Sequence, residues 1–360
     1  MKYLDRMKEK FEKLKGKEDV IVLSIESSCD ETSVAVVKNG RQVLANVIAT
    51  QIEIHRRFGG VVPEVASRNH ITAISNVYQE AINEAGIDKS DIDAVAVTYG
   101  AGLMGALLVG VNFAKGLAYS LDVPLIAVSH VHGHISANYI SHLDLQPPFV
   151  CLMVSGGHTA LLNVKDYNNL EMLGTTVDDA VGEAFDKVAR VIGLCYPGGP
   201  EIDKLAKQGS PTYKFTVSKS LKDTFNFSFS GIKTEVVNLV HNSLQRGEEI
   251  NRADIACSFQ ECVTEELVTK AVKACKYCGL DKLVIAGGVG ANSLLKEKAE
   301  KSCKREGIKC YSPVLKYCTD NAGMIGSMAY YMIKDGIGLA ELGLTAKPNV
   351  TLSSILTNDK

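Results

Sequence analysis

The sequence predicts an α/β protein made of two similar halves with a cleft between them. Strand-like runs alternate with helical spacing through most of the 360 residues, which is typical of sheets covered by helices. Two prolines, Pro147 and Pro148, stop regular structure near the middle of the chain. A buried strand, a small polar turn and a second strand open the chain, and this pattern returns after the prolines.

The composition is that of a folded globular chain. Hydrophobic residues make up 46% and charged residues 22%, which excludes disorder of the whole chain. The net charge is -2, so no global basic excess indicates nucleic acid, although a local basic patch fits within a neutral sum. No apolar signal segment opens the sequence and the ten cysteines are scattered, so we expect free thiols and a cytoplasmic protein.

The first half, residues 20–147, follows an amphipathic extension at residues 1–19. The extension is predicted to be a docking helix, with a membrane-surface helix as the weaker alternative. Its apolar stripe consists of Leu4, Met7, Phe11 and Leu14. The further predicted elements are strands at 20–25, 33–37 and 42–50, a helix at 67–85, a strand at 93–99, a helix at 103–121 and a strand at 125–128.

One apolar segment is long enough to cross a membrane. Residues 94–114 carry no charge over 21 residues. Three glycines interrupt this run: Gly100, Gly102 and Gly105. We therefore interpret it as a buried strand, a turn and a buried helix, and we expect no membrane partner.

The second half, residues 148–325, repeats the opening pattern. Its predicted elements are strands at 149–154 and 159–164 around Gly156-Gly157-His158, a late strand at 284–286, a glycine-rich turn at 287–292 and a helix from Ser293. Residues 213–252 are less regular and are predicted to be an insertion. Residues 326–360 are predicted to form a C-terminal helix that returns to the first half.

Three histidines lie within five residues, between Ser129 and His134. His130 and His134 are four residues apart and share one face of a helix, which suits a metal ion. Asp320, in a polar turn before an apolar helix, is the best candidate for a third ligand, and two His with one Asp suit Fe(II) or Zn(II). The alternatives are a polar helix start for the histidines and a helix cap for Asp320. No Glu follows His130, so the zinc-peptidase pattern is absent.

Three turns have the composition of a phosphate site. They are Ser27–Thr32, Ser155–Thr159 and Gly287–Asn292, and each follows a buried strand. Small residues let backbone N–H groups approach an anion, although each stretch alone also fits a plain tight turn. The Walker and Rossmann fingerprints are both absent, which disfavours those nucleotide sites.

Acidic residues and paired cysteines give further candidates. Asp179, Glu183 and Asp186 are expected on one face of a helix, which fits either a solvated face or a site where Asp186 holds a sugar hydroxyl. Asp203 follows the rigid loop 196–200, in the first turn of the next helix. Cys275 and Cys278 lack a second pair at zinc spacing, so we interpret them as structural or incidental thiols.

The motifs together resemble one protein family over residues 20–335. In chain order they are Ile25–Thr32, Gly59–Arg68, the His130/His134 pair, Ser155–Thr159, Phe185–Lys187, Tyr196–Pro200, Phe227–Gly231, Gly287–Val289 and Cys318–Asn321. They resemble the TsaD/Kae1 family of tRNA N6-adenosine threonylcarbamoyltransferases, formerly described as O-sialoglycoprotein endopeptidases. His132 departs from the family, which usually has Glu at this position.

This resemblance implies an actin-like ATPase (ASKHA) fold, with two RNase-H-like domains around a cleft. It implies transfer of threonylcarbamoyl from threonylcarbamoyl-AMP to N6 of adenosine 37 in tRNAs reading ANN codons, which forms t6A. By similarity, His130, His134 and Asp320 hold one Fe²⁺ per subunit, with Zn²⁺ as the alternative. An adenylate or ATP-type nucleotide is expected in the cleft, and the residues implied to line its pocket are Met153, Val154, Ser155, Gly156, Gly157, Asp186, Gly199, Asp203 and Asn292.

The resemblance also implies partners, namely tRNA, an inactive TsaB-like paralogue and a small TsaE-like ATPase. Arg56, Arg57 and Arg68 form our candidate patch for tRNA or a partner protein, and a solvated basic turn is the alternative. Two other activities stay open: a small-molecule kinase of the same fold, which would not need the paired histidines, and a metallopeptidase, for which the sequence offers no base beside the metal.

Overall fold

The structure is a computed structural model that describes residues 3–217 and 219–350. The predicted α/β class is confirmed, since the described chain contains one six-stranded and one five-stranded sheet with helices on their faces. The strands are β1 (Ile21–Glu26), β2 (Glu31–Lys38), β3 (Gln42–Thr50), β4 (Ala94–Gly100), β5 (Leu125–Ser129), β6 (Phe149–Val154), β7 (Thr159–Asp166), β8 (Asn169–Thr175), β9 (Lys282–Ala286), β10 (Lys309–Tyr311) and β11 (Leu339–Ala340). The helices are α1 (Tyr3–Gly16), α2 (Ile52–Arg56), α3 (Pro63–Ala85), α4 (Met104–Leu121), α5 (His130–Ser141), α6 (Val181–Val191), α7 (Gly198–Ala206), α8 (Ser230–Arg246), α9 (Arg252–Cys278), α10 (Ser293–Arg305) and α11 (Ala322–Asp335).

The two sheets share one topology, which confirms the internal repeat. The first sheet has the order β11-β5-β4-β1-β2-β3 and the second has the order β10-β9-β6-β7-β8. In each, an antiparallel meander of three strands continues into parallel strands: β1 pairs with β4 as β6 pairs with β9. The turns after β1 and β6 therefore occupy equivalent positions in the two halves.

Apolar side chains divide the molecule into layers. Along β1, Val22 belongs to one core cluster and Leu23 to another, because successive strand residues point to opposite faces. Helices α3 and α4 cover the outer face of the first sheet, and α6 to α10 cover the outer face of the second. Helices α5 and α11 pack together in a central layer that contacts both sheets. This layer brings the start of α5 between the two halves.

Helix α3 begins at Pro63, four residues before the predicted start at Ser67. The prediction was wrong because the helical spacing was counted from the apolar stripe, whereas proline at the first helical position starts a helix favourably. The predicted end is correct, since Gly86 adopts a left-handed φ of 64° that closes the helix.

The apolar segment after residue 94 is a strand, a turn and a helix, as predicted. Helix α4 is long and apolar enough, by length and composition alone, to cross a membrane. One face of it, including Leu107 and Val111, is buried, and the helix packs against α3 and β4. Within the described residues, α4 is thus a covering helix of the first sheet.

The interval 213–252 contains more regular structure than the sequence indicates. Helix α8 fills 17 residues of it and buries Val236 and Val240. The preceding segment is held by Lys270, whose buried Nζ donates to the carbonyls of Leu221, at 3.0 Å, and Asn226. The same Nζ pairs with Glu266 at 2.8 Å. A buried charge is thus satisfied by two carbonyls and one carboxylate.

The ends of the described chain meet on the first half. Helix α1 buries Met7, Phe11 and Leu14 and contacts α11, which itself packs on β1 and β2. The helix predicted at 326–360 was wrong in its bounds, since α11 spans Ala322–Asp335, Gly336 ends it and β11 follows. Residues 1–2 and 351–360 lie outside the described residues. All ten cysteines are free thiols, as the sequence predicts.

Candidate metal and nucleotide site

A cavity of about 660 Å³ lies between the two halves and takes lining residues from both. The turns after β1 and β6 contribute Ser28 to Glu31 and Ser155 to His158. Further walls come from the beginnings of α5, α6 and α7, the segments before α4 and α10, and the turn before α11. The equivalent turns of the two repeats therefore face the same space.

The three predicted metal ligands meet at one wall of this cavity. One ligand atom from each of His130, His134 and Asp320 lies within 4.8 Å of the others. Asp320 Oδ1 is 3.4 Å from Nε2 of His130 and 3.3 Å from Nε2 of His134. Both rings thus turn the same nitrogen toward one carboxylate, as spacing of four residues on α5 predicts.

Asp320 does not cap the helix that follows it. The side chain of Asn321 caps α11, because its Oδ1 accepts a hydrogen bond from Met324 N at 3.1 Å. The capping alternative considered for Asp320 is therefore wrong. Its carboxylate is left to face the two histidines.

Neighbouring charges and burial together set the pKa values in this cluster. Burial lowers the pKa of His130, but the carboxylates of Asp320 and Glu26 outweigh it and raise that pKa to about 9. Burial raises the pKa of Asp320, but the neighbouring histidines outweigh it and lower that pKa to about 2. Burial and the charge of His130 together lower the pKa of His134. The cluster thus holds an ionised carboxylate beside one cationic ring.

This donor set fits a divalent transition metal. Two imidazole nitrogens and one carboxylate oxygen are the ligands that Fe(II) and Zn(II) accept with open positions remaining. Nδ1 of His134 is buried without a hydrogen-bond partner, so within the described residues only its Nε2 is engaged. The residues present could therefore hold a metal ion with its open side toward the cavity.

His132 lies on the same helix but outside the cluster. Its ring is buried, its Nε2 has no hydrogen-bond partner among the described residues, and burial lowers its pKa to about 4. The ring is consequently neutral at neutral pH. The departure from the family at this position leaves the three candidate ligands together.

The turn from Ser155 to His158 has open glycines. Ser155 N donates to His158 O at 2.8 Å, and His158 N donates to Ser155 Oγ at 3.1 Å, which close the turn. A Cβ added to Gly156 or Gly157 would meet nothing within 4 Å, so the turn presents bare backbone. Gly182, near the start of α6, lies directly beneath it and donates from its N–H to Ser155 O at 3.3 Å. Such a turn could approach an anion closely.

Two of the predicted pocket residues do not line the cavity. Met153 and Val154 are the last residues of β6, and both are fully buried in the core. Neither is among the described residues that line the cavity. The other predicted pocket residues do line it: Ser155, Gly156, Gly157, Asp186, Gly199, Asp203 and Asn292.

Three polar residues of this pocket also form hydrogen bonds to the beginnings of neighbouring helices. Asp186 Oδ1 accepts from Gly198 N at 2.7 Å, and burial raises its pKa. Asp203 Oδ1 accepts from the N–H and hydroxyl of Ser293 at 3.2 and 2.7 Å. Asn292 caps α10. Each side chain thus holds a helix start against the cavity as well as lining it.

Asp179 does not share a helix face with Glu183 and Asp186. It precedes the first residue of α6, and its carboxylate pairs with Lys187 at 3.0 Å and Lys233 at 2.5 Å. The expectation of one acidic face was wrong because the helix begins only at Val181. The carboxylate instead joins two helices.

Several cavity residues were not given an individual role by the sequence, although two of them lie in its candidate turns. Glu31 lines the cavity, and burial together with Asp30 raises its pKa to about 9. His158 also lines it, and burial lowers its pKa to about 4. Lys204 of α7 and Lys207, which follows the helix and pairs with Asp203 at 3.2 Å, also line the wall. The polar turns after β1 and β6 were a signal for the first two, but no local pattern distinguishes the lysines from other surface lysines.

The candidate basic patch lies outside the cavity. Arg56, Arg57 and Arg68 are all exposed. Arg56 Nε donates to Tyr196 O at 3.1 Å, which joins α2 to a loop that lines the cavity. Arg57 makes no ion pair within the described parts of the chain.

Solved structures share the fold at low sequence identity. The chain resembles full-length HypF in its phosphate- and nucleotide-bound form, with a TM-score of 0.59 and 16% identity over 88% of this chain and 46% of that one. It also resembles component A of (R)-2-hydroxyglutaryl-CoA dehydratase from Acidaminococcus fermentans, with a TM-score of 0.51 and 14% identity over 88% of this chain and 99% of that one. The expected actin-like ATPase fold is thereby confirmed.

Curated relatives are much more similar in sequence. A tRNA N6-adenosine threonylcarbamoyltransferase of Clostridium perfringens is 58% identical over 92% of this chain and 98% of its own length. One of Clostridium botulinum is 56% identical over 93% of this chain and 99% of its own length. The family model described as TsaD, tRNA N6-adenosine threonylcarbamoyltransferase, matches residues 42–327. The chain belongs to the TsaD family.

Proposed function

We propose that this chain transfers the threonylcarbamoyl group from threonylcarbamoyl-AMP to N6 of adenosine 37 in tRNAs that read ANN codons, forming t6A. Membership of the TsaD family supports the reaction. The observation that carries the proposal is that the cluster of His130, His134 and Asp320 shares one cavity with the open turn Ser155–His158. A metal ion could polarise the carbonyl that is attacked, and the N–H groups of the turn could hold the leaving phosphate, so the two parts together suit this transfer. The reducing environment expected for the ten free thiols supports action in the cytoplasm.

We propose that the cluster holds one Fe²⁺ per subunit, with Zn²⁺ as the alternative. When bound, the ion would supply Lewis-acid polarisation of the carbamoyl carbonyl. His130 and His134 present Nε2 toward the space beside Asp320, and the raised pKa of His130 means that its Nε2 must release a proton before it can act as a ligand.

The nucleotide part of the donor substrate is proposed to lie along the second half. Backbone N–H groups of the turn at Gly156 and Gly157 would hold the phosphate of AMP, the leaving group. Lys204 and Lys207 add positive charge at the same cavity. Asp186 would accept from a ribose hydroxyl with the oxygen that Gly198 does not use.

The acceptor amine is a weak nucleophile, because its lone pair is delocalised into the adenine ring. The mixed anhydride of the donor compensates with a good leaving group. Glu31 is protonated at neutral pH, since its pKa is about 9, and can donate a hydrogen bond to a substrate oxygen in the cavity. The acceptor base lies in a single-stranded loop, so presenting it to the cavity costs little unstacking.

Binding of tRNA is proposed to involve Arg56, Arg57 and Arg68 together with partner proteins. The three side chains are exposed, and Arg56 is attached to a loop that lines the cavity. With a net charge of -2, the chain offers no general attraction for phosphates. A TsaB-like inactive paralogue and a TsaE-like ATPase are the proposed partners.

The test is reconstitution with threonylcarbamoyl-AMP, unmodified tRNA and the two partner proteins, followed by mass analysis of the nucleosides. We expect t6A with the natural chain. His130→Ala and Asp320→Ala should abolish it while circular dichroism and Tm show a folded chain. His241→Ala and Asp223→Ala, which replace exposed residues away from the cavity, serve as matched controls and should retain activity.

One result would contradict the proposed reaction, and a second would contradict only the proposed metal site. One is the absence of t6A with the natural chain and active partners. The other is undiminished t6A formation by both cluster variants after metal removal, which would leave the reaction intact but reject the site.

A further inference from the structure

Glu26 places a carboxylate in the interior of the first half. It is the last residue of β1, and its side chain is completely buried. Oε1 accepts from Ser28 N at 2.5 Å, and Oε2 accepts from Thr98 Oγ1 at 2.6 Å. Among the described residues no Lys or Arg pairs with it, and its ion-pair partner is His130. Burying a charged carboxylate without a Lys or Arg partner costs free energy unless strong hydrogen bonds compensate. We therefore asked which group this carboxylate serves.

The carboxylate contacts the far nitrogen of a candidate metal ligand. Oε2 of Glu26 is 3.0 Å from Nδ1 of His130, while Nε2 of the same ring faces Asp320 at 3.4 Å. A carboxylate accepts but does not donate, so it keeps a proton on Nδ1. Nε2 is then the nitrogen with a lone pair available for a metal.

The two histidines of the cluster differ in this respect. Nδ1 of His134 is buried without a hydrogen-bond partner among the described residues. Nδ1 of His130 has both Glu26 and the hydroxyl of Ser28, the latter at 3.1 Å. Only His130 therefore has its ring orientation and its proton position set by an acidic neighbour.

The remaining donors hold the carboxylate itself in place. Thr98 lies on β4, the parallel neighbour of β1, and Ser28 lies in the turn that lines the cavity. The donors around Glu26 thus come from an adjacent strand, a turn and a helix. The carboxylate cannot rotate away from His130 without losing the hydrogen bonds of Thr98 and Ser28.

We propose that Glu26 is a positioning residue, whose carboxylate holds Nδ1–H of His130 so that Nε2 faces a divalent metal shared with His134 and Asp320. This inference rests on the metal site of the proposed function. Carboxylates that hold the outer nitrogen of a histidine ligand fix its tautomer and raise its basicity. Replacing such a partner typically weakens metal affinity by about 10–100-fold.

The test compares Zn²⁺ affinity, by competition with a chromophoric chelator, between the natural chain and Glu26→Gln. The amide has nearly the same shape but no charge, and we expect a Zn²⁺ affinity about 10–100-fold lower. Because both carboxylate oxygens accept hydrogen bonds, the amide NH₂ opposes a donor, so Tm should fall, and circular dichroism must show a folded variant before affinities are compared. Asp122→Asn, which removes an exposed carboxylate paired with Lys10, is the matched control and should keep the natural affinity. Equal affinity of Glu26→Gln and the natural chain would overturn the inference.

A second measurement, of the protonation of His130, uses only the natural chain. Long-range ¹H–¹⁵N spectra of the zinc-loaded natural chain should show His130 protonated at Nδ1 and metal-bound at Nε2. Metal at Nδ1 would overturn the inference but leave the metal site standing. Failure of the natural chain to bind Zn²⁺ or Fe²⁺ at all would instead reject the metal site of the proposed function, and this inference with it.

Discussion

A methyl group added at Gly182 should disturb the turn that is proposed to hold phosphate. Gly182 is the second residue of α6, and its added Cβ would lie 2.7 Å from both Gly156 Cα and Ser155 O. Carbon atoms prefer separations of about 3.5–4.0 Å, so the turn and the helix must separate by about 1 Å. The atoms that would have to move are backbone, which cannot rotate away as a flexible side chain can.

The magnitude follows from two opposing effects. Overpacking of this kind costs about 1–3 kcal/mol, whereas alanine in place of glycine gains up to about 1 kcal/mol of helix propensity. The net loss of stability for Gly182→Ala should be about 1–2 kcal/mol. The effect on catalysis should be larger, because a displacement of about 1 Å in a positioning element can reduce the rate about 100-fold.

The assay measures Tm by calorimetry and kcat/KM for threonylcarbamoyl-AMP in the reconstituted reaction. Gly231→Ala is the matched control for stability, since Gly231 is also the second residue of its helix and its added Cβ meets nothing within 4 Å. We expect Gly231→Ala to keep or raise Tm and Gly182→Ala to lower it. If the two variants have equal Tm and Gly182→Ala keeps its natural kcat/KM, the assigned role of the turn is wrong.

Three further outcomes are expected. Because the pKa of His130 is about 9, a metal ion must displace one proton from its ring. The affinity for Zn²⁺ should therefore rise about tenfold per pH unit up to about pH 9 and then level off. An affinity that does not change with pH in chelator competition would contradict this. Arg57→Glu should raise the KM for tRNA several-fold and make that KM less dependent on salt. The KM for threonylcarbamoyl-AMP should stay constant. Equal effects on both KM values would argue against a tRNA contact at Arg57. Lys270→Met should lower the free energy of unfolding, measured by urea titration, by about 2–3 kcal/mol. The reason is that Glu266 and two backbone carbonyls lose their shared partner. A loss below about 0.5 kcal/mol would show that these three groups find other partners.

The sequence was most informative where a local pattern has one structural meaning. Strand-turn-strand patterns predicted the repeat, and His130 and His134 could be assigned to one helix face from their spacing alone. The left-handed Gly86 was predicted as a helix end for the same reason. The start of α3 at Pro63 was missed because the helical spacing was counted only from Ser67, although Ala66 is already buried.

The parts that could not be predicted depend on where distant side chains point. Glu26 follows the strand predicted at 20–25 and appears in the sequence only as part of the motif Ile25–Thr32. Its contact with His130 is visible only once the strands are paired. Likewise, Lys204 becomes a cavity residue only because α7 packs beside α6. Met153 and Val154 were implied by similarity to line the pocket, yet they end a strand of a sheet covered on both faces, so their side chains lie in the core.

Asp320 lies between β10, a strand of the second sheet, and α11, a helix that packs on the first sheet. The histidines head α5, the neighbour of α11 in the central layer. An ion held by all three would be a reversible crosslink between segments far apart in sequence, and chelation would restore the entropy that such a link removes. Because the ion would bind the folded chain and not the unfolded one, its occupancy would also raise Tm, in addition to its part in the chemistry.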